Sequence, residues 1–371
     1  MIRKARKLVD HISIVLRSGV LRAAPVSFPL FEIEPTSCNI MVTNRCNLKC
    51  LMCKQWRESP GEELSTADWI KIIDDLRKNG FRNIHFTGGE PLLRADLKDL
   101  VAYCDRNGFT VGMTTNGMLL DGDMLDGLIA SGLRSVALSM DALGGQYEKI
   151  RGASGSFEKA QGASAAIAEA KNRGRIDAYI NFTLMKENID LFKDVDEFAR
   201  SIGLPVAICL LDKTSAIFDL KENDQRYWIS SPEDMKRLTA LLEYLKGEIA
   251  RKPRSIILNY PGVDYIAAYF QDPRQAGIPC TISQDRIYID PYGNLFGGCL
   301  SMGTFGSLKD IPFGRLKEIG RYREAKKKMF YKKCPGCSCG YLYNIRCLPG
   351  AIVRDLASGV RYSVFKRPRY E

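Results

Sequence analysis

Between Cys38 and about Leu211, short β-rich apolar runs alternate with longer stretches in which apolar positions recur at helical spacing. The runs 39–43, 83–87, 110–114, 135–140, 177–183 and 206–211 predict strands. Helices are predicted between them near 66–79, 96–107, 123–130, 156–172 and 191–202. Gly80, Gly108, Gly132, Gly174 and Gly203 each follow a helical stretch where a C-terminal capping glycine belongs. Strands alternating with helices point to βαβ units and a parallel sheet. A closed eight-unit barrel takes about 250 residues. Six units in roughly 175 therefore predict an α/β fold with a partial (β/α)6 TIM-like barrel, open on one side.

Around this core, residues 1–37 form an N-terminal segment in which Leu8, Val9, Ile12, Val15, Leu16 and Val20 recur at amphipathic-helix spacing among basic residues. After the core, residues 212–275 read as a polar lid loop with linking helices near 232–249 and 260–270. From 276 to 371 the pattern changes to a small α+β extension. It holds a hairpin, Arg286–Asp290 and Leu295–Phe296 about a turn at Pro291-Tyr292-Gly293-Asn294, then a helix near 316–329.

Composition narrows the function classes. The 371 residues are 45% hydrophobic and 26% charged, as in a globular protein, and carry a net charge of +11 that favours anionic partners. Asp10, His11 and Arg17 interrupt any signal-peptide core, and no apolar run is long enough to span a bilayer. The N-terminal amphipathic stretch reads either as a helix packed on the body or as a peripheral membrane contact. With two histidines, His11 and His85, no histidine metal site or histidine-based hydrolase can be built, and His85 reads as a core residue. The basic run 321–333, with Tyr322 and Tyr331, reads as a solvated helix face, so nucleic acid is not an expected partner.

Six of the twelve cysteines lie in two tight clusters, 46/50/53 and 334/337/339, which suit metal ligation better than disulfides and imply a reducing, cytoplasmic setting. Cys46, Cys50 and Cys53, in C-x3-C-x2-C spacing, follow the first strand. A structural zinc site closes with four ligands and an iron–sulfur cube also takes four, so three thiols leave one metal corner open. A zinc or purely structural role for the triplet is the alternative.

Other distinctive residues fall at the C-terminal ends of strands, where functional groups of such barrels collect. Gly88-Gly89-Glu90-Pro91 follows the second strand, Thr114-Thr115-Asn116-Gly117 closes the third, Ser139 and Asp141 end the fourth, and Asn181 and Thr183 end the fifth.

The cysteine spacing together with the Gly-Gly-Glu-Pro run resembles the radical S-adenosylmethionine (SAM) enzymes over roughly residues 38–211. That resemblance implies a [4Fe-4S] cluster on Cys46, Cys50 and Cys53 with SAM on its fourth iron. It also implies an electron donor such as flavodoxin or ferredoxin, and a 5′-deoxyadenosyl radical that takes a hydrogen atom from a substrate. Gly88 and Gly89 would let the backbone approach the SAM ammonium group closely, with Glu90 as a negative partner. Asn116, Ser139 and Asn181 would serve the cofactor at the strand ends, Ser139 and Asn181 through the ribose hydroxyls. Arg151 would pair with the methionyl carboxylate, and Met52 would lie near the adenine. Strand-end capping is the alternative for Asn116, Ser139 and Asn181, a surface charge for Arg151, and a helix cap for Glu90.

Cys280, Cys299, Cys334 and Cys337 resemble the shortened Twitch form of the SPASM extension, which implies a second, auxiliary [4Fe-4S] cluster. Cys339 and Cys347 are spares, and a zinc ribbon is the other metal reading. Cys38 and Cys104 read as packed side chains; Cys209 does too, with a hydrogen-atom donor role as its second reading. The reaction implied is a net oxidation of a sugar-like small molecule or a peptide. The rivals are a redox-neutral epimerase, a lipid-modifying enzyme and a cluster-bearing binding module.

Overall fold

The computed structural model describes residues 34–57, 61–212, 225–251, 255–258, 260–273, 280–331 and 333–334. Its centre is one eight-stranded sheet. Strands β1 (Ser37–Met41), β2 (Asn83–Thr87), β3 (Thr110–Thr115), β4 (Leu133–Ser139), β5 (Asp177–Leu184) and β6 (Val206–Leu210) run parallel. Helices α1 (Thr66–Lys78), α2 (Leu97–Arg106), α3 (Gly122–Ala130), α4 (Gly144–Arg151), α5 (Ser156–Asn172) and α6 (Phe192–Ser201) join them. The strand order, β6-β5-β4-β3-β2-β1-β7-β8, is linear, so the barrel is partial. Predicted and observed boundaries agree within about two residues. The helix α4 was not predicted: its two leading glycines hide the helical pattern.

Local chemistry sets these elements. Ser65 caps α1 through a reciprocal box, its Oγ accepting from the Asp68 N–H while the Asp68 carboxylate accepts from the Ser65 N–H. Asp121 caps α3 by accepting from the Met124 N–H at 2.8 Å. The inward face of α1 buries Trp69, Ile72, Ile73 and Leu76. Each such side chain contributes about 1.5–3 kcal/mol of burial.

Alternation along the strands gives the sheet two unlike faces. One carries Ile40, Ile84, Phe86, Val111, Met113, Val136, Leu138, Ile180, Phe182 and Ile208, all buried in the cluster shared with the helices. The concave face carries Asn39, His85, Thr114, Ser139, Tyr179, Asn181 and Cys209, each only partly buried. Register makes this face continuous, with Asn39 beside His85, Ser139 beside Asn181 and Thr183 beside Cys209. A filled barrel would place branched apolar residues here. This barrel keeps a polar lining, with two charged residues on the same face, Asp177 beside Ser135 and Arg286 beside Ser37 at the N-terminal ends of their strands.

Beyond β6, helices α7 (Pro232–Arg251) and α8 (Tyr260–Gln271) pack on the core. The predicted hairpin is present as β7 (Arg286–Ile289) and β8 (Leu295–Phe296). Its first strand also pairs in parallel with β1, so the hairpin extends the barrel sheet. Its turn docks on the chain leaving the cysteine loop: the Leu64 N–H donates to the Pro291 carbonyl at 2.8 Å, and the Gly61 N–H to the Tyr292 hydroxyl at 3.1 Å. The last described helix is α9 (Gly320–Phe330), starting later than predicted because a separate short turn, Phe313–Leu316, precedes it. The N-terminal amphipathic segment through residue 33, the lid stretch 213–224 and Cys337, Cys339 and Cys347 lie outside the described residues.

Candidate active site

The loop after β1 carries the three thiols to the C-terminal end of the sheet. Backbone amides already face two of the sulfurs, Leu48 N–H at Cys46 and Gln55 N–H at Cys53. Burial pushes the Cys46 thiol up to about 11 and the Cys53 thiol up to about 12, the amides opposing it. Without a metal both are therefore protonated at neutral pH, and metal uptake must release their protons.

The loop is fixed from two sides. The Lys49 and Leu51 N–H groups donate to the carbonyls of Arg151 and Ile150 at the end of α4, at 3.0 and 2.9 Å. There Gly152, at φ +69°, comes so close that a Cβ would sit 2.4 Å from the Lys49 carbonyl oxygen. From the other side, the Gly89 and Glu90 N–H groups donate to the carbonyls of Thr43 and Arg45 at 2.7 and 2.8 Å. A Cβ on Gly88 would sit 2.4 Å from the Thr43 carbonyl oxygen, and one on Gly89 would sit 2.1 Å from that of Arg45. The glycine pair thus serves first to bring the end of β2 against the base of the cysteine loop.

Glu90 is 1% exposed and its carboxylate is the joint between β2 and β3. It accepts from the Leu92 N–H, the Thr115 hydroxyl and the Asn116 N–H at 3.1, 2.8 and 2.8 Å. Burial nevertheless pushes its pKa up to about 7, the three donors opposing it. The helix-cap alternative is thus present in the structure, since Glu90 caps the short turn Pro91–Leu93. Asn116 donates from Nδ2 to Asn47 Oδ1 at 2.8 Å and stands 4.0 Å from Cys46 Sγ. It ties β3 to the cysteine loop.

Arg151 is no surface charge. It is 6% exposed, its Nη1 stands 3.7 Å from Cys50 Sγ, and its Nη2 makes an ion pair with Asp141 at 2.7 Å. Burial works against the Arg151 charge, yet the Asp141 carboxylate and the Cys50 sulfur keep it firmly protonated. Asp141 is fully buried at the end of β4 and also accepts from the Thr183 N–H at 2.7 Å. The strand end therefore holds the guanidinium against the cysteine loop. Met52, 4% exposed, is part of the main core. Ser139 and Asn181 are register partners at the lumen edge, and Asn181 Oδ1 accepts from the Cys209 thiol at 2.9 Å.

Two buried donors at the loop lack acceptors: Arg151 Nε and Gln55 Nε2 have no hydrogen-bond partner. Among the described residues, no three His, Cys, Asp or Glu side chains converge on a point fit for a single metal ion. An iron–sulfur cube takes its thiolates on separate irons and accepts hydrogen bonds at its sulfurs. The amide donors at Cys46 and Cys53 and the orphaned N–H groups of Arg151 and Gln55 fit a cluster of that kind.

In the C-terminal region Cys280 and Cys299 are 5% and 2% exposed and Cys334 is half-buried. Gln284, 1% exposed, leaves both side-chain amide atoms without a hydrogen-bond partner. Polar atoms of that kind, four residues from Cys280, are consistent with an additional buried group.

An open parallel barrel with a three-thiol loop at its mouth is the architecture now defined on this chain. Residues 40–199 match the family model described as the Radical SAM superfamily. Over these residues the chain carries a radical SAM domain.

Among curated proteins, the chain is 30% identical over 179 residues to the sporulation killing factor maturation protein SkfB of Bacillus subtilis, covering 48% of this chain and 43% of that protein. It is 37% identical over 150 residues to the Fe-coproporphyrin III synthase of Methanosarcina barkeri, covering 40% and 37%. The chain thus spans less than half the length of either relative. Among solved structures, Streptococcus suis SuiB bound to S-adenosylmethionine superposes with TM-score 0.63 at 16% identity over 84% of this chain and 74% of that one. Native anSMEcpe with bound AdoMet and the Cp18Cys peptide gives TM-score 0.62 at 17% identity, covering 89% and 99%. These two show the same fold.

No described helix is long and apolar enough to cross a membrane. Sequence reasoning named the thiols and the glycine run but missed Asp141 as the partner of Arg151 and Gln55 as a loop residue. The available signals were position alone: Asp141 stands two residues after Ser139, and Gln55 two after Cys53.

Proposed function

We propose that this chain is a radical SAM enzyme that abstracts a hydrogen atom from a peptide or a sugar-like small molecule held over the barrel lumen, with net oxidation. The carrying observation is the three-thiol loop set at the mouth of a barrel whose inner face is polar. In this reading Cys46, Cys50 and Cys53 hold the [4Fe-4S] cluster. When bound, the cluster and SAM supply one-electron cleavage of the sulfonium and hydrogen-atom abstraction from an unactivated C–H.

The chain's own residues supply placement. Carbonyl groups of the 88–90 run would accept from the SAM ammonium, and Arg151, whose Nε has no hydrogen-bond partner, would pair with the carboxylate. Ser139, Asn181 and Asn116 line the cofactor's side of the lumen. Glu90 and Asp141 act through other residues: one joins β2 to β3, the other braces Arg151. Met52, packed in the core, would lie near the adenine. Cys280, Cys299, Cys334 and Cys337 would hold an auxiliary [4Fe-4S] cluster, which would supply an acceptor for the second electron of the oxidation. Residues 276–371 form that extension in functional terms even though β7 is woven into the barrel sheet.

A peptide substrate is consistent with the maturation protein SkfB and with the precursor peptide SuiA bound by SuiB. One observation favours a second reading. Cys209 lies at the lumen with its thiol donating to Asn181, and burial holds its pKa up at about 11. A protonated thiol there is placed to return a hydrogen atom in a redox-neutral epimerisation. The electron donor would be a flavodoxin or ferredoxin, and contact with a membrane surface through the basic N-terminus remains part of the proposal.

The test is the anaerobically reduced full chain mixed with SAM. Formation of 5′-deoxyadenosine is expected, and its absence from cluster-replete protein contradicts the enzyme reading. With substrate in hand, Cys209→Ala separates the alternatives: oxidation continues, whereas epimerisation stops after hydrogen abstraction.

A further inference from the structure

Gln55 carries one of the two orphaned donors at the cysteine loop. It follows the third thiol by two residues and opens the short 3-10 turn Gln55–Arg57. That turn is tied to the cysteine loop by the Trp56 indole N–H, which donates to the Cys50 carbonyl at 3.2 Å, and is closed on itself by the Arg57 N–H donating to the Lys54 carbonyl at 2.8 Å. Its position relative to the sulfurs is therefore fixed. The Gln55 residue is 6% exposed. Its Oε1 stands 3.9 Å from Cys53 Sγ, where it accepts from the thiol, while its Nε2 has no partner.

A buried amide that leaves two N–H donors unused is costly, about 1–3 kcal/mol. The arrangement is consistent for a free thiol and inconsistent for a ligating sulfur, which has no proton to give. An acceptor oxygen facing a sulfur bound to iron would be repelled. Rotating the amide by half a turn exchanges two groups of nearly the same shape and places the N–H donors towards the sulfur. One rotation removes the repulsion and satisfies the orphaned donor.

We propose that Gln55 is a positioning residue of the radical SAM cluster, donating a side-chain hydrogen bond to the Cys53 sulfur and raising the reduction potential of the cluster. Hydrogen bonds to cluster sulfurs stabilise the more negative, reduced state. The inference rests on the assignment of Cys46, Cys50 and Cys53 as cluster ligands.

The experiment is an EPR-monitored redox titration of the anaerobically reconstituted full chain, with dithionite as electron source, following the signal that changes when SAM is added. Gln55→Leu removes the donor at similar volume. Gln55→Glu keeps the shape and replaces the donor with an acid, and it carries the test if the leucine variant fails to take up iron. Both variants are expected to keep the iron content of the parent and to titrate at a lower potential, Gln55→Glu lower than Gln55→Leu. Potentials equal to that of the parent in both variants would overturn the inference while leaving the cluster assignment standing. A parent protein with no SAM-responsive cluster signal would overturn the assignment itself, and the inference with it.

Discussion

Replacing Asp141 with asparagine isolates the brace behind the cysteine loop. Asn keeps an amide oxygen for the Thr183 N–H, so the variant removes the negative charge and little else. In the parent the Asp141 and Arg151 side chains are 0% and 8% exposed and meet at 2.7 Å. With an effective dielectric of ~20, Coulomb's law gives an attraction on the order of 6 kcal/mol at that distance. Desolvation offsets part of it, and breaking one side of a buried pair destabilises by about 3–5 kcal/mol. Domains of this kind are stable by roughly 5–15 kcal/mol, so the loss is large.

The assay is urea denaturation of the cluster-free protein, comparing parent, Asp141→Asn, and Asp141→Asn combined with Arg151→Met. The single variant is expected to lose about 3–5 kcal/mol, and the double variant to regain a substantial part, because it leaves no unpaired buried charge. A single variant within about 1 kcal/mol of the parent, or a double variant no more stable than the single, would refute the argument that this pair is a buried brace.

Glu90 gives a pH signature. Its pKa in the folded protein, about 7, lies above the ordinary 4.5, so folding favours its protonated form. Stability from this group is full below about 4.5 and is lost as pH rises through about 7, a change on the order of 3 kcal/mol. The stability difference between parent and Glu90→Gln should shift across that window, and a constant difference contradicts the assignment. His85, its Nε2 bonded to the Thr114 hydroxyl at 2.7 Å, is held down to about 4 by burial and by Arg286. Its ring should stay neutral by NMR at pH 5.5, and titration near 6.5 would count against its buried position. Gly89→Ala should lower iron uptake on reconstitution, since its Cβ meets the Arg45 carbonyl, and overpacking of this kind costs about 1–3 kcal/mol. Normal uptake would show that the close approach is not needed.

Much of the barrel could be read from the chain because strand alternation, helical spacing and glycine caps agree over residues 38–211. The three thiols could be read because their spacing leaves an open metal corner. What escaped were long-range pairings. Nothing local to Arg286–Ile289 says that it joins β1 across more than two hundred residues. Nothing local to Asp141 says that Arg151, one helix later, returns to it. The helix α4 escaped for a different reason: its Gly144-Gly145 start removes the apolar periodicity on which such a prediction depends. Glu90 shows the same limit from the other side. Its residue type suggested a charge facing a ligand, and only the fold reveals three donors closing around it.

The most direct test of the central claim is Mössbauer and EPR spectroscopy of the anaerobically reconstituted full chain beside its Cys46→Ala/Cys50→Ala/Cys53→Ala variant. The parent should show a [4Fe-4S] signal whose line shape changes on adding SAM, and the variant should lose that signal and all 5′-deoxyadenosine formation. A SAM-responsive cluster that persists without the three thiols, or a parent with no cuboidal iron at them, would contradict the account.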